Sequence, residues 1–402
     1  MTYLFASIEL AITALQEGRM VILVDDEDRE NEGDLVIAAE HATASAINFM
    51  SQFGRGLVCL PMAGHLVDRL GLSMMASCNR SPFGTAFTVS IEAATGVTTG
   101  ISAQDRARTV QVAIDPNSGP RDIISPGHVF PLRAQAGGVL KRSGQTEGSV
   151  DLMQLAGLAP AAVICEIINE DGTMSRRDEL AAFSKKHDIP MVTIKDLIEY
   201  RIRHEQLVDA LATSRIPLHQ SGDFTMTVFS NHIDDSEHFS LTKIPKFSNQ
   251  VPLVRIHSEC ITGDVFGSCK CDCGSQLRQS LDLISAEGGI LIYLRQEGRG
   301  IGLANKLKAY ALQEQGYDTV DANVQLGLPI DDRDYAVAFQ ILKYMGIDVI
   351  RLLTNNPFKV EAIAHYGIKV SERIPLAVEP TNENRAYLKT KKEKLGHLLA
   401  ID

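Results

Sequence analysis

Residues 289–315 read GILIYLRQEGRGIGLANKLKAYALQEQ. Gly289–Leu294 is a short apolar run of the length of one buried strand. Glycines at 298, 300 and 302 interrupt it, and Leu303–Gln315 reads as a helix. Strand, glycine-rich loop and helix in that order form a unit of a mixed α/β sheet. Glycines at such a junction let backbone N–H groups approach an anion, and the start of a helix favours negative charge. Arg299 can grip phosphate oxygens with both arms of its guanidinium. No Gly-Lys-Ser/Thr follows, so this is not a Walker loop. Taken alone, the segment reads equally well as a tight turn.

The same texture recurs along the chain. Val349–Leu353 is an apolar strand that ends in Thr354-Asn-Asn-Pro357-Phe-Lys359, and a Thr hydroxyl and a Lys at a strand end suit a phosphate or a purine edge. Phe224–Phe229 alternates as a strand does. Asp331-Asp-Arg333-Asp334 reads by itself as a solvated turn. In the first half, Ile8, Ala11, Ile12 and Leu15 recur at helical spacing until Gly18. Met20–Val24, Leu35–Ala39, Val163–Ile168 and Met191–Ile194 read as strands. Ser175 with Asp178 predicts a capping box for a helix through Lys186. Around 201–220 the chain turns polar, so the boundary is expected there: a first domain over 1–203, a linker over 204–222 and a second domain over 223–402. The halves share no repeat. The expectation is two unrelated domains of the α+β or mixed α/β class, each a mixed sheet with flanking helices.

The 402 residues carry 39 Lys and Arg against 50 Asp and Glu, a net charge of −11. That excludes a protein built to coat nucleic acid or anionic membrane and leaves room for local basic pockets. No run of 18 apolar residues predicts a membrane span. The first residues, with Glu9 inside the apolar stretch and no basic start, do not read as a signal peptide. Seven cysteines, four of them within 260–273, suit a metal better than a disulfide framework. A cytoplasmic enzyme is expected.

The cluster is Cys260, Cys269, Cys271 and Cys273. Closely spaced thiolates bind zinc with little loss of loop entropy. Spacing leaves two arrangements open: three thiolates with a fourth position for water, or a closed site of four. His257, Glu259 and Asp264 nearby favour chemistry, since a purely structural knuckle does not need them.

In this order and spacing, Cys260-x10-Cys271-x-Cys273, RQEGRGIGL, Asp331-x-Arg333 and TNNPxK resemble GTP cyclohydrolase II from about Phe224 onward. The resemblance implies catalytic zinc on Cys260, Cys271 and Cys273, with Cys269 a bystander. It implies GTP binding by Arg255, Ile256, His257, Ser258, Glu259, Gln276, Glu297, Gly298, Arg299, Thr319, Thr354 and Lys359. It makes Asp331 the proton acceptor, Arg333 the nucleophile and Tyr310 a further functional residue. The activity implied is opening of the guanine imidazole ring with release of formate and, through a covalent guanylyl step, pyrophosphate.

The first half holds Asp25-Asp-Glu-Asp-Arg29-Glu30-Asn-Glu32-Gly-Asp34, seven carboxylates in ten residues. Such a group needs protons or a hard cation such as Mg²⁺, although composition alone also suits a solvated turn. His128 and Cys59 by themselves read as packed residues. Glu166, inside an apolar strand, is costly to bury unpaired, and burial raises its pKa toward a proton-transfer role. DDEDRENEGD, GLVCLP, GTAFTVS, PGHVFPLRAQAGGVL and DLMQLAG together resemble 3,4-dihydroxy-2-butanone 4-phosphate synthase over about residues 5–200. The resemblance implies ribulose 5-phosphate as substrate and Mg²⁺ (or Mn²⁺) as cofactor, with Glu30 a metal ligand. Arg29, Glu30, Asp34, Arg142, Ser143, Gly144, Gln145, Thr146 and Glu166 would meet substrate, and His128 and Glu166 would be the essential pair. Two positions depart from the family pattern. Gln145 stands where the family has its second metal ligand, a His, and Ser125 stands where an Arg is usual. A Gln oxygen can ligate Mg²⁺ but is neutral and cannot shuttle a proton. The whole chain therefore resembles a bifunctional riboflavin-pathway enzyme, a homodimer by inheritance. The alternative expectation is that only the GTP half acts and the first half scaffolds or regulates it.

Overall fold

The computed structural model describes residues 5–234, 236–244, 250–329, 331–376, 380–381 and 383–399, without the side chains of 319 and 386. The chain divides into two compact units, Met1–Arg201 and Ile202–Asp402.

The first unit holds β1 (Val21–Val24), β2 (Gly33–Ala38), β3 (Cys59–Ala63), β4 (Ile91–Ala93), β5 (Ile123–Ala134), β6 (Ala162–Glu166) and β7 (Met191–Thr193). They form one mixed sheet in the order β4-β5-β3-β6-β2-β1-β7. The strands β1 and β2 are buried along their whole length. Continuous apolar runs are what a sheet covered on both faces requires. Ile22, Val24, Leu35 and Ile37 enter the core on one face, and Val21, Leu23, Val36 and Ala38 enter the core on the other. The helix Ile8–Gln16 starts where Ser7 caps Leu10 N–H at 3.3 Å and buries Ile8, Ala11, Ala14 and Leu15. The predicted cap at Ser175 is displaced by one residue. Ser175 Oγ donates to Asn169 Oδ1 at 2.7 Å, and Glu179 instead receives Arg176 N–H at the start of the helix Arg177–His187.

The second unit holds β8 (Val208–Leu218), β9 (Gly222–Asn231), β10 (His238–Lys243), β11 (Leu253–Ser258), β12 (Gly289–Leu294), β13 (Val349–Leu353) and β14 (Lys369–Ile374), in the order β14-β13-β11-β12-β10-β9-β8. The neighbours β12, β11, β13 and β14 run parallel, while β10, β9 and β8 continue the sheet antiparallel. The segment expected to be a linker is a correction: residues 208–218 form β8, paired with β9 along its length. β8 is an edge strand, exposed at most positions, so neither face imposes an apolar alternation that a reader could detect. Among the described residues, no helix is long and apolar enough to cross a membrane.

Candidate active site

The parallel strands of the second unit end at one rim, which is where ligands bind in open α/β sheets. There a cavity gathers the end of β11, the cysteine loop, the glycine-rich loop after β12 and the turn after β13. Arg255, His257, Ser258, Glu259, Cys260, Cys271, Cys273, Gln276, Glu297, Gly298, Arg299, Tyr310, Arg333, Thr354 and Lys359 all line it. Ile256 does not, because its side chain points into the core with no exposure, and only its carbonyl acts, accepting Lys359 Nζ at 2.8 Å. The side chain of Thr319 lies outside the described residues.

The thiols of Cys260, Cys271 and Cys273 converge within 4.8 Å of one another, and Cys260 Sγ stands 3.7 Å from Cys271 Sγ. Zinc–sulfur bonds of ~2.3 Å at tetrahedral angles place sulfurs about 3.8 Å apart, so these three fit zinc. Cys269 is exposed and outside the group, so the cluster has three thiols rather than four. The cradle depends on Gly263: a Cβ there would meet Cys271 Sγ at 2.9 Å and Cys260 Sγ at 3.2 Å. Hydrogen bonds from Cys271 and Cys273, with Lys306 nearby, pull the Cys260 thiol well down. The bond to Cys260 pushes Cys271 up to about 11 and helps push Cys273 up as well.

Asp264 braces the loop. Its Oδ2 takes His257 Nε2 at 3.0 Å, Tyr293 Oη at 2.8 Å and Cys260 N–H at 3.0 Å. Burial lowers the His257 pKa, so its ring is neutral. Glu297 ties the glycine-rich loop to the cysteine loop, accepting Ile261 N–H at 2.6 Å, Gly298 N–H at 2.7 Å and Lys306 Nζ at 2.7 Å. Arg299 has φ +63°, a left-handed conformation that is strained for any residue but glycine. The reversal brings the Arg299 carbonyl onto Asp332 N–H at 3.0 Å and so holds the Asp331–Arg333 turn against the loop.

The turn read from sequence as solvated is an ion pair. Arg333 Nε donates to Asp331 Oδ1 at 2.7 Å and Nη2 pairs with Oδ2. Burial opposes the charge on Asp331, yet Arg333 holds its carboxyl below the usual range. Asp331 thus takes Nε and Nη2, and Nη1 is the remaining guanidinium nitrogen.

Beside the thiols the cavity is strongly cationic. Burial, then Arg255 and Arg333, drive the Lys359 pKa well down. Burial takes Arg255 down to about 10. Burial, then Lys391, Arg333 and Arg299, take His397 down to about 3. His397 is therefore neutral at pH 7, while Arg255, Arg299, Arg333, Lys359 and Lys391 crowd the cavity around two bonded carboxylates, Asp272 and Asp331, a set of donors that suits a polyphosphate. Tyr310 is pushed up to about 12 by burial, so its phenol keeps its proton and can donate.

Sequence reasoning did not reach Lys306, Asp272, Lys391, Tyr387 or His397. Lys391 Nζ bonds Asp272 Oδ1 at 2.7 Å, Gln276 Nε2 bonds Asp272 Oδ2 at 2.6 Å, and Arg255 Nη2 bonds Gln276 Oε1 at 2.7 Å. For Lys306 a signal existed: it lies four residues before Tyr310, on the same face of one helix.

In the first unit the candidate residues are engaged differently. Arg29 Nη1 donates to Asp25 Oδ2 at 2.7 Å and to Gln145 Oε1 at 3.0 Å, and Nη2 lies 3.2 Å from Glu30 Oε1. Among the described residues Gln145 Nε2 is buried and meets no hydrogen-bond partner. A guanidinium therefore already serves both residues expected to hold Mg²⁺, and the Gln oxygen is committed to it. This pair does not fit a divalent cation as it stands. Arg142 is turned to Glu147, the Phe83 carbonyl and Thr85. Ser143 and Gly144 lead into the helix Gln145–Leu155, whose first turn buries Gln145 and Thr146. Asp34 and Glu166 face each other across β2 and β6. Burial raises both, each by more because of neighbouring carboxylates. Glu166 is not unpaired, since Oε2 accepts Leu57 N–H at 2.7 Å. His128 Nδ1 lies 2.7 Å from Glu92 Oε1, and among the described residues no hydrogen bond joins it to Glu166. Ser125, in place of the usual Arg, donates to the Ser90 carbonyl at 2.8 Å.

The model of the 3,4-dihydroxy-2-butanone 4-phosphate synthase family matches residues 9–200, and that of GTP cyclohydrolase II matches 209–375. The riboflavin biosynthesis protein RibBA of Bacillus subtilis is 53% identical over 399 residues, covering 98% of this chain and 100% of that one. The RibBA of Synechocystis is 51% identical over 401 residues, covering 98% of this chain and 72% of the other. A solved structure of RibBX from A. baumannii, described as a two-domain 3,4-dihydroxy-2-butanone 4-phosphate synthase, aligns with a TM-score of 0.69 at 36% identity, covering 93% of this chain and 100% of that one. With both domains matched in this order and relatives aligned end to end, the chain belongs to the RibBA family of bifunctional riboflavin biosynthesis enzymes, which join a 3,4-dihydroxy-2-butanone 4-phosphate synthase domain to a GTP cyclohydrolase II domain.

Proposed function

We infer that the second domain converts GTP to 2,5-diamino-6-ribosylamino-pyrimidinone 5'-phosphate, formate and pyrophosphate. The observation that carries this reading is the junction of a three-thiol cradle with a buried cationic wall in one cavity. Zinc on Cys260, Cys271 and Cys273 would supply an activated water for attack at C8 of guanine. Arg255 and Lys359 receive the triphosphate charge. Arg333 attacks the α-phosphorus through Nη1, its N–P bond forming as the bond to pyrophosphate breaks, and a water later cleaves that N–P bond, leaving the product's 5'-phosphate and returning free Arg333. Asp331 takes the guanidinium proton, which otherwise would keep so basic a group from acting as a nucleophile. Tyr310 stays protonated and donates a hydrogen bond. Three thiolates kept reduced suit a cytoplasmic setting. The test is incubation of zinc-loaded protein with GTP and analysis of formate, pyrophosphate and the pyrimidine. Recovery of intact GTP would leave only a nucleotide-binding module.

For the first domain the family reading is conversion of ribulose 5-phosphate to 3,4-dihydroxy-2-butanone 4-phosphate and formate, with His128 and Glu166 moving protons. The Arg29–Gln145 contact favours a second reading, in which this domain holds divalent metal poorly and turns over slowly while the GTP domain acts. Formate release from ribulose 5-phosphate, measured with and without Mg²⁺, decides between them. The homodimer expected of both families belongs to the same proposal, and sedimentation of the purified chain tests it.

A further inference from the structure

Lys306 has no place in the reading above, yet it stands at the joint between its two halves. Nζ lies 3.1 Å from Cys260 Sγ and 2.7 Å from Glu297 Oε1. Its side chain is 11% exposed and that of Glu297 10%, so the pair is shielded from solvent. A lysine whose Nζ meets a shielded carboxylate at 2.7 Å forms an ion pair with it, and it is as an ammonium that it reaches the sulfur. The other Glu297 oxygen accepts Ile261 N–H, the residue after Cys260. One carboxylate thus joins the backbone after the first sulfur ligand, the ammonium on that sulfur and the glycine-rich loop.

A zinc ion with three thiolates carries a formal charge of −1, and a buried excess charge needs a partner. Among the described hydrogen bonds, Lys306 is the cation that reaches one of the three sulfurs. An N⁺–H···S bond offsets that excess charge, favours the thiolate over the thiol that zinc would have to displace a proton from, and fixes the direction in which the sulfur faces the metal. We propose that Lys306, held by Glu297, is a positioning residue for the zinc centre: it neutralises and orients the Cys260 thiolate and so couples the glycine-rich loop to the metal. This rests on the reading of the three cysteines as zinc ligands.

The test uses full-length Lys306→Met, Lys306→Gln and Lys306→Arg proteins. Zinc affinity is measured by competition with a chromophoric chelator, and kcat and KM for GTP are measured separately. The expected result for Lys306→Met is a ~10- to 100-fold loss of zinc affinity. In zinc-saturated protein its kcat falls by a similar factor while KM changes less than about threefold. Lys306→Gln behaves like Lys306→Met, and Lys306→Arg, which keeps charge and donor, recovers zinc affinity to within about threefold. Unchanged zinc affinity in Lys306→Met overturns the proposal. So does a rise in KM alone, which would make Lys306 a GTP contact. Equal losses in all three variants, with altered circular dichroism, would mean a merely structural role and overturn it too. A parent protein that turns over GTP without binding zinc would instead sink the underlying zinc assignment.

Discussion

Gly263 and Cys271 sit so close that a Cβ on the glycine would lie 2.9 Å from the cysteine sulfur. The backbone at 263 thus forms one wall of the thiol cradle. A methyl group there must displace a sulfur from tetrahedral position. Gly263→Ala should lower bound zinc by at least about tenfold in affinity and abolish most GTP ring opening. Metal analysis after dialysis against a weak chelator, with a GTP assay on the same sample, checks this. Full zinc occupancy would show that the cradle tolerates the shift.

Cys271→Ser and Cys269→Ser should part company. The first removes a cradle sulfur, so zinc content and GTP turnover fall together. The second alters an exposed thiol outside the group and leaves both within about twofold. Loss of zinc in Cys269→Ser would reinstate the closed four-cysteine site.

Arg333→Ala should stop pyrophosphate release and spare zinc, because the side chain bonds Asp331 rather than the thiols. Asp331→Asn should keep the turn but lose the proton acceptor, slowing pyrophosphate release by ~10²- to 10⁴-fold. Rapid-quench measurement of pyrophosphate separates this step from formate release.

Gln145→His should strengthen Mg²⁺ binding to the first domain. A histidine offers a ring nitrogen as ligand, whereas the Gln oxygen is held by Arg29. Formate release from ribulose 5-phosphate should rise about tenfold or more, and the Mg²⁺ concentration at half-maximal rate should fall. No change in either would show that the Arg29–Gln145 contact does not limit this domain.

Glu166 gives a pH prediction. Burial raises its pKa in the folded domain, so above the ordinary carboxylate range the folded state binds more protons than the unfolded one. Its contribution to stability is therefore present below the unfolded pKa and is lost as pH rises through the folded pKa. Glu166→Gln removes that loss. Its melting temperature should exceed the parent's by about 2–4 °C at pH 7.5 and match it near pH 4. Calorimetry at the two pH values checks the sign, and equal shifts at both would rule out a protonation effect.

Local chemistry explains what could be read before folding. The four cysteines within 260–273 point to a metal because their spacing survives in the unfolded chain. The strand–glycine–helix unit at 289–315 declares an anion loop for the same reason: period, turn residues and helix start are all local. Both family likenesses rest on such contiguous motifs, and so did the mixed sheets. β8 escaped because an exposed edge strand carries no apolar alternation. Ser175 misled because Asn169, rather than a helix N–H, satisfies its hydroxyl.

Only tertiary structure could decide which groups meet across distant segments. Lys306 reaches Cys260 over 46 residues, Lys391 reaches Asp272 over 119 and Arg29 reaches Gln145 over 116. No periodicity records such meetings, because they depend on where packed strands and helices leave their ends. The amino-acid order determined the two domain types, the cysteine cluster and the family. Packing decided that Cys269 stays outside, that Lys306 reaches the Cys260 sulfur and that a guanidinium stands where Mg²⁺ was expected. Charges and donors separated in the chain acquire their strength only when the fold removes water from between them.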